Sequence, residues 1–318
     1  MKKRLWVALS AVVVAAVGVA VAVAVIGSES SAPHDGSVFL APAESSAARA
    51  ATRGSDADRA SAEYLAAQPT AYWLTPERDP IGKVGARITK LAAEAREQSA
   101  SLALVIYGLP ERDCGNHSAG GLDEADYEKW TDEIATAIGT AGTATAVILE
   151  PDSLALATEC GNLAERVPTL QRVIDLLQLP RTWIYLDGGH SNWHPAAETA
   201  RLLQQVGLDK VRGFSLNVSN FNGTTDEIAY AHEVAAATGV ATHAIIDTSR
   251  NGAGSNGEWC NPPGRLVGPV SGSIGDDVVD TNLWIKPPGE SDGPCHGGPA
   301  AGVWWPAAAL ELTRDVIG

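Results

Sequence analysis

AVILEPDSLA, residues 146–155, decides how the rest of the chain is read. Its apolar, β-branched first half predicts a buried strand that stops at Glu150, Pro151 and Asp152, after which Ser153 and Leu154 open a helix. Two carboxylates therefore stand at a strand exit, with proline fixing the backbone between them. An acid at the C-terminal end of a strand that feeds a helix is where α/β barrels keep their catalytic groups. The plainer account is that Asp152 only N-caps the next helix.

Outward from this stretch the same pattern repeats. Strands are predicted at 71–74, 102–107, 145–149, 182–186, 211–216, 242–246 and 282–285. Helices are predicted at 81–98, 125–138, 163–177, 195–206 and 226–237, and after Pro306. In the helix at 163–177, Leu163, Val167, Leu170, Ile174 and Leu177 fall on one face at three- and four-residue steps. Strand alternating with helix implies a parallel sheet, and about seven strands without a glycine-rich phosphate loop point to a distorted β/α barrel. No internal repeat or second catalytic domain is evident.

Nearly every predicted strand ends in polar residues. Tyr107, Arg112 and Asp113 follow the second strand, Asp152 the third, Asp187 and His190 the fourth, and Asn217 and Asn220 the fifth. Asp247, Arg250 and Asn251 follow the sixth, and Lys286, Glu290 and Asp292 the last. Capping explains one such acid better than it explains five on one rim. Crowded, half-buried carboxylates hold a proton on one member while others stay ionised, as a general acid requires. Trp73, Trp193, Trp259 and Trp284 lie in or beside these segments. Trp193 and Trp259 stand among Gly, Asn, Ser and His, where a flat apolar face rimmed by hydrogen-bonding groups suits a sugar ring. Trp284, inside a strand, is expected in the core.

A net charge of −15 argues against nucleic acid or anionic lipid as a partner. Lys2, Lys3 and Arg4 precede an uncharged, Ala- and Val-rich run at 5–26, which reads as an export signal, either cleaved or kept as an anchor. The expected division is residues 1–27 as signal or anchor, 28–37 as a disordered spacer and 38–318 as the catalytic domain. Membrane contact is expected only through such an anchor, with the remainder extracellular and monomeric. Cys114, Cys160, Cys260 and Cys295 lack C-x-x-C spacing, so two disulfides are expected rather than zinc. Three pairings are possible. Cys114–Cys160 with Cys260–Cys295 is preferred, because the first would hold Asp113 near Asp152.

The segments VIYGLPERDCG, VILEPDSLA, IYLDGGHSNWH, FSLNVSNF, IIDTSRNG with EWCNPPG, and LWIKPPGESDG resemble, in order and spacing, the signature segments of glycoside hydrolase family 6, the inverting cellulases. The resemblance runs from about Val38 to the C-terminus. It implies a distorted seven-stranded barrel that cleaves β-1,4-glucosidic bonds without metal or cofactor. It further implies that Asp152 is the proton donor, that Asp113 tunes it and joins the water chain, and that Tyr107 favours a distorted sugar. Asp187 would be a supporting carboxylate and Asp292 the residue proposed as base. Trp73, His190, Trp193, Trp259, Lys286 and Glu290 would line sugar subsites, with Asn217 and Asn220 as further contacts. Inversion needs room for water, so the base must stand back from Asp152.

Short connections favour an open cleft and internal cleavage over a cellobiohydrolase tunnel. No segment resembles a cellulose-binding module, so soluble or amorphous glucan is the expected substrate. Two rivals remain. His190 and His194, four apart and near Asp187, resemble the ligands of metal-dependent polysaccharide deacetylases. A glucan-binding protein with little turnover is the other, because Ala119 occupies the position where the family usually carries a water-holding Ser, with Ser118 beside it. If that gap impairs the water chain, Ala119→Ser raises kcat with little change in KM. An unchanged rate would show that Ser118 or a second water already serves.

Overall fold

The computed structural model describes residues 32–53, 56–115 and 120–317. Seven strands run parallel in sequence order: β1 (Tyr72–Leu74), β2 (Leu102–Ile106), β3 (Thr145–Leu149), β4 (Thr182–Asp187), β5 (Gly213–Leu216), β6 (His243–Asp247) and β7 (Val279–Leu283). Around them lie α1 (Ser46–Arg53), α2 (Asp56–Ala66), α3 (Val84–Glu97), α4 (Glu124–Ala141), α5 (Ser153–Cys160), α6 (Leu163–Leu176), α7 (Ala196–Val206), α8 (Thr224–Thr238) and α9 (Pro306–Thr313). The export segment expected at residues 1–27 lies outside the described residues. Residues 31–318 form one compact unit.

The run LALVI of β2 and the run TAVIL of β3 are buried throughout, because each strand has an apolar layer on both faces. Alternation sorts the residues between two cores. Leu102, Leu104, Ile106, Val147 and Leu149 face outward under the helices. There they meet Ile88 and Leu91 of α3, Trp130 and Ile134 of α4, and Leu170 and Ile174 of α6. Ala103, Val105, Ala146, Ile148, Tyr185, Ile245 and Leu283 point the other way and fill the interior. Small side chains at 103 and 146 suit the narrow side of that space.

The sheet does not close by a full ladder. Its ends meet at one parallel bridge, Thr70 with Trp284, where the Ala71 amide donates to the Trp284 carbonyl at 2.9 Å and Trp73 Nε1 to the Ile285 carbonyl at 2.8 Å. Trp284 is fully buried in a separate cluster with Ala47, Leu65 and Ala309, so α1, α2 and α9 cover this seam. Sequence periodicity missed α1 and α2, which are Ala-rich and carry few large apolar residues.

Two boundaries differ from the sequence reading. The last strand is Val279–Leu283 rather than 282–285. Its Asp280 reads as a loop residue, yet it is buried, taking hydrogen bonds from Tyr185 Oη at 2.6 Å and from Arg212 Nε and Nη2 at 2.8 and 2.6 Å, with His243 Nδ1 at 3.1 Å. The expected spacer also ends early. Pro33 is buried and the Gly36 amide donates to the Gly272 carbonyl at 2.7 Å, which anchors the described end of that segment to the domain.

Asp280 ties β4, β5 and β6 to β7 away from the strand exits. Removing its carboxylate strands the Arg212 guanidinium and the Tyr185 hydroxyl. Asp280→Ala should therefore lower unfolding free energy by about 3 kcal/mol in a denaturant titration. The KM of the folded fraction should not change.

Candidate active site

The turn after β3 carries the central group. Glu150 (φ 49°) and Asp152 (φ 66°) both adopt the left-handed region, with Pro151 between them. Non-glycine residues persist there only when their surroundings hold them, at a cost of about 1 kcal/mol or more each. The holders are identifiable. Asp187 Oδ1, at the end of β4, accepts the Asp152 amide at 3.0 Å and the Gly189 amide at 3.1 Å, while Oδ2 accepts Ser215 Oγ at 3.1 Å. Glu150, fully buried, accepts the amides of Gly108 at 3.0 Å and Leu109 at 3.2 Å, and Tyr127 Oη at 2.8 Å. Asp152 occupies the N-cap position of α5, yet its side chain makes no capping hydrogen bond. The carboxyl is thus left for another use.

Its surroundings favour the protonated form. Burial, then the charges of Asp187, Asp113 and Asp292, push the Asp152 carboxyl well above the usual range, against the opposing pull of Lys286. Asp187 is raised to about 7 by burial, in spite of its three donors. Glu150 is likewise raised to about 7 by burial.

Asp113 lies in a short turn after β2 where Glu111, Asp113 and Cys114 also have positive φ. The Cys114–Cys160 disulfide joins this turn to the end of α5, and Cys260–Cys295 is the second bridge, both as preferred from the sequence. Tyr107 Oη donates to Asp113 Oδ2. The Tyr107 ring meets Trp73 edge-on at 5.3 Å and lies under the Arg112 guanidinium at 4.4 Å. Arg112 also donates to the Tyr107 carbonyl at 2.6 Å and pairs with Glu77 at 2.8 Å.

Asp292 is held differently. Arg250 Nη1 reaches both its oxygens at 2.9 and 2.8 Å, the Asn261 amide donates at 3.0 Å, and Lys286 Nζ stands 3.6 Å away. Burial acts to raise this carboxyl, but Arg250 and Lys286 outweigh it and keep it below the usual range. Lys286 Nζ is also 5.8 Å from the centre of the Trp73 ring, so the Asp292 group and the Tyr107 group share a wall.

His190 and Trp193 form a second wall, ring centres 5.3 Å apart. Burial, and then His194, lower His190 to about 4, which leaves the imidazole neutral. Trp259 is 53% exposed and immediately precedes the Cys260–Asn261 segment that touches Asp292. Three expected sugar contacts are otherwise engaged. Asn217 is fully buried and gives its amide hydrogens to the Asp247 and Asn222 carbonyls at 2.9 and 3.2 Å, while its oxygen accepts the Asn222 amide. It shapes a loop and is not available to a sugar. Asn220 Nδ2 donates to the Val218 carbonyl at 2.9 Å. Glu290 is buried and accepts Ser46 Oγ at 2.5 Å, a partner on α1 that no sequence signal marked. Ala119 and Ser118 lie outside the described residues.

Among the described residues, His190, His194 and Asp187 do not bring their ligand atoms together as a metal site would. His194 Nε2 is at 2.9 Å from the Ala155 carbonyl, His190 Nδ1 accepts the Asn192 amide, and both oxygens of Asp187 are taken. These groups face different partners rather than a common point.

Comparisons with known proteins agree with this geometry. The profile of glycosyl hydrolases family 6 matches residues 36–316. Endoglucanase A of Cellulomonas fimi is 40% identical over 269 residues, 84% of this chain and 59% of that protein, so the chain spans well under two thirds of this relative. Endoglucanase 1 of Streptomyces halstedii is 37% identical over 289 residues, covering 86% and 88% of the two chains. A Mycobacterium tuberculosis endoglucanase, solved with methyl-cellobiosyl-4-deoxy-4-thio-β-D-cellobioside, superposes with a TM-score of 0.81 at 37% identity, covering 87% and 96%. With an uncapped acid at the β3 exit, carboxylates from the segments after β2, β4 and β7 acting on it and the profile matched over most of its length, this chain belongs to glycoside hydrolase family 6.

Proposed function

We propose that the chain is an endo-β-1,4-glucanase that hydrolyses cellulose or soluble β-1,4-glucan with inversion, using Asp152 as general acid. The observation that carries this reading is the Asp152 carboxyl itself. It is freed from capping, fixed through its own amide by Asp187, and pushed toward the protonated form by burial and three nearby acids. A protonated acid near neutral pH can deliver its proton to a glycosidic oxygen as the bond to the sugar breaks.

Electrostatics divide the other carboxylates. Asp292, clamped by Arg250 and Lys286, is a poor proton acceptor and serves better as a fixed negative charge facing the positive character that develops on the sugar. Asp113, tied to Tyr107 Oη, is the better candidate to receive a proton from the attacking water, directly or through a second water. Tyr107, stacked between Trp73 and Arg112, offers a rigid surface against the distorted ring. Trp73, Trp193 and the exposed Trp259 would carry successive sugars of the chain. Endo action is supported by the names of the relatives. An extracytoplasmic location is supported by the apolar run at 5–26 and by the two disulfides.

Viscosity and reducing-end release from carboxymethyl-cellulose test the reading. The wild type should drop viscosity early and lose no rate to a chelator, and Asp152→Ala should lose activity by about 10³-fold or more. Retained cleavage in Asp152→Ala would remove the proposed acid. Binding of cello-oligosaccharides by both proteins without cleavage by either would make this a glucan-binding protein.

The Asp187 charge adds a pH signature. Asp187→Asn keeps an acceptor for the Asp152 amide but deletes a negative charge that raises the Asp152 carboxyl. The acid then ionises at lower pH, so the alkaline limb of the kcat profile should move toward acid. An unmoved limb would mean that another group sets it.

A further inference from the structure

Glu227, on α8, is fully buried and has no role in the chemistry just described. A lone buried carboxylate is costly unless its hydrogen bonds are made. The side chain of Asn222 acts on this carboxylate as well, but its backbone and hydroxyl donors come from one residue of the sugar-facing turn after β4. Glu227 Oε1 accepts the Ser191 amide at 3.0 Å and Ser191 Oγ at 2.6 Å, with Oε2 3.4 Å from the same amide. Ser191 lies between His190 and the Asn192–Trp193 pair, and the turn is closed by the Trp193 amide donating to the His190 carbonyl at 2.9 Å.

Three residues further along α8, on the same face, Tyr230 Oη donates to the His194 carbonyl at 2.7 Å and is itself bonded to Thr199 Oγ1 at 2.7 Å. The helix therefore grips both ends of the segment that carries Trp193. The underside of the segment is equally tight. Gly189, at φ 73°, holds a conformation that strains any side chain, and a Cβ there would crowd the Trp193 ring and the Ala155 methyl, each at 3.2 Å. The turn is thus packed from below at a glycine and hydrogen-bonded from the side by α8.

We infer that Glu227 is a positioning residue for glucan binding: through Ser191 it fixes His190 and Trp193 as one wall of the sugar site. A preorganised platform loses less freedom when a glucosyl unit settles on it, so the contribution falls on affinity and not on the bond-breaking step. Burial pushes the Glu227 carboxyl up to about 6, consistent with a group kept dry against the turn.

This inference rests on the glucanase reading, and the measurements separate the two. Glu227→Ala, Ser191→Ala and the double variant are compared with wild type for hydrolysis of soluble cello-oligosaccharides, and by calorimetry for their binding. Each single variant should raise KM and Kd about fivefold to tenfold with kcat within twofold, and the double variant should be no worse than the singles. Glu227→Gln, whose amide oxygen still accepts from Ser191, should recover most of the affinity. Unchanged KM and Kd in Ser191→Ala, with only a lowered melting temperature in Glu227→Ala, would overturn the inference and leave Glu227 as a structural group. Should Glu227→Ala fail to fold, Ser191→Ala alone decides. Absence of hydrolysis in the wild type would sink the glucanase reading, while the calorimetric arm would still judge the role of Glu227.

Discussion

The backbone amide of Asp152 donates to the carboxylate of Asp187, and the arrangement of the site follows from that bond. It holds a non-glycine residue in the left-handed region, where the Asp152 side chain makes no capping hydrogen bond. It also brings a second carboxylate close enough to raise the first. One contact fixes the backbone of the acid and adds to the burial that raises its carboxyl.

The same device recurs along the strand exits. Glu150 gathers the amides of Gly108 and Leu109 after β2. Asp247 gathers those of Ser219, Ser249, Ile285 and Lys286 from three different loops. Glu227 does so for Ser191 from the helical layer. Irregular loops carry unpaired backbone donors that water would satisfy at the surface, and here buried carboxylates satisfy them. These loops are held in place by buried acids that collect their amides. Acids at this rim therefore fall into two kinds, those that collect amides and those whose oxygens remain toward the cleft or toward Arg250 and Lys286.

The barrel itself tolerates an imperfect closure. With a single bridge between Thr70 and Trp284, the seam depends on Trp284 packing against α1, α2 and α9 rather than on strand hydrogen bonds. The loosened edge carries Trp73, Lys286 and Glu290, the last of which reaches Ser46 on α1. The α1 helix that covers the seam thus also holds one acid of this rim.

Periodicity and composition alone determined the parallel α/β order, six of the seven strands to within a few residues and the acids at their ends. Segment resemblance added the family and the identities of Asp152, Asp113, Tyr107 and Asp292. These are legible because burial on both faces forces apolar strands, and strand exits punctuate them with polar residues. β7 was misplaced because Asp280 reads as a loop residue until Arg212 and Tyr185 are seen around it. Asn217 looked like a sugar contact because its type suits one, and only the neighbouring carbonyls of Asp247 and Asn222 reveal its loop-shaping use. The tertiary structure decided which acids are anchors, which is left uncapped and which is clamped, since these depend on burial and on charges brought together from distant strands. No linear pattern encodes those distances.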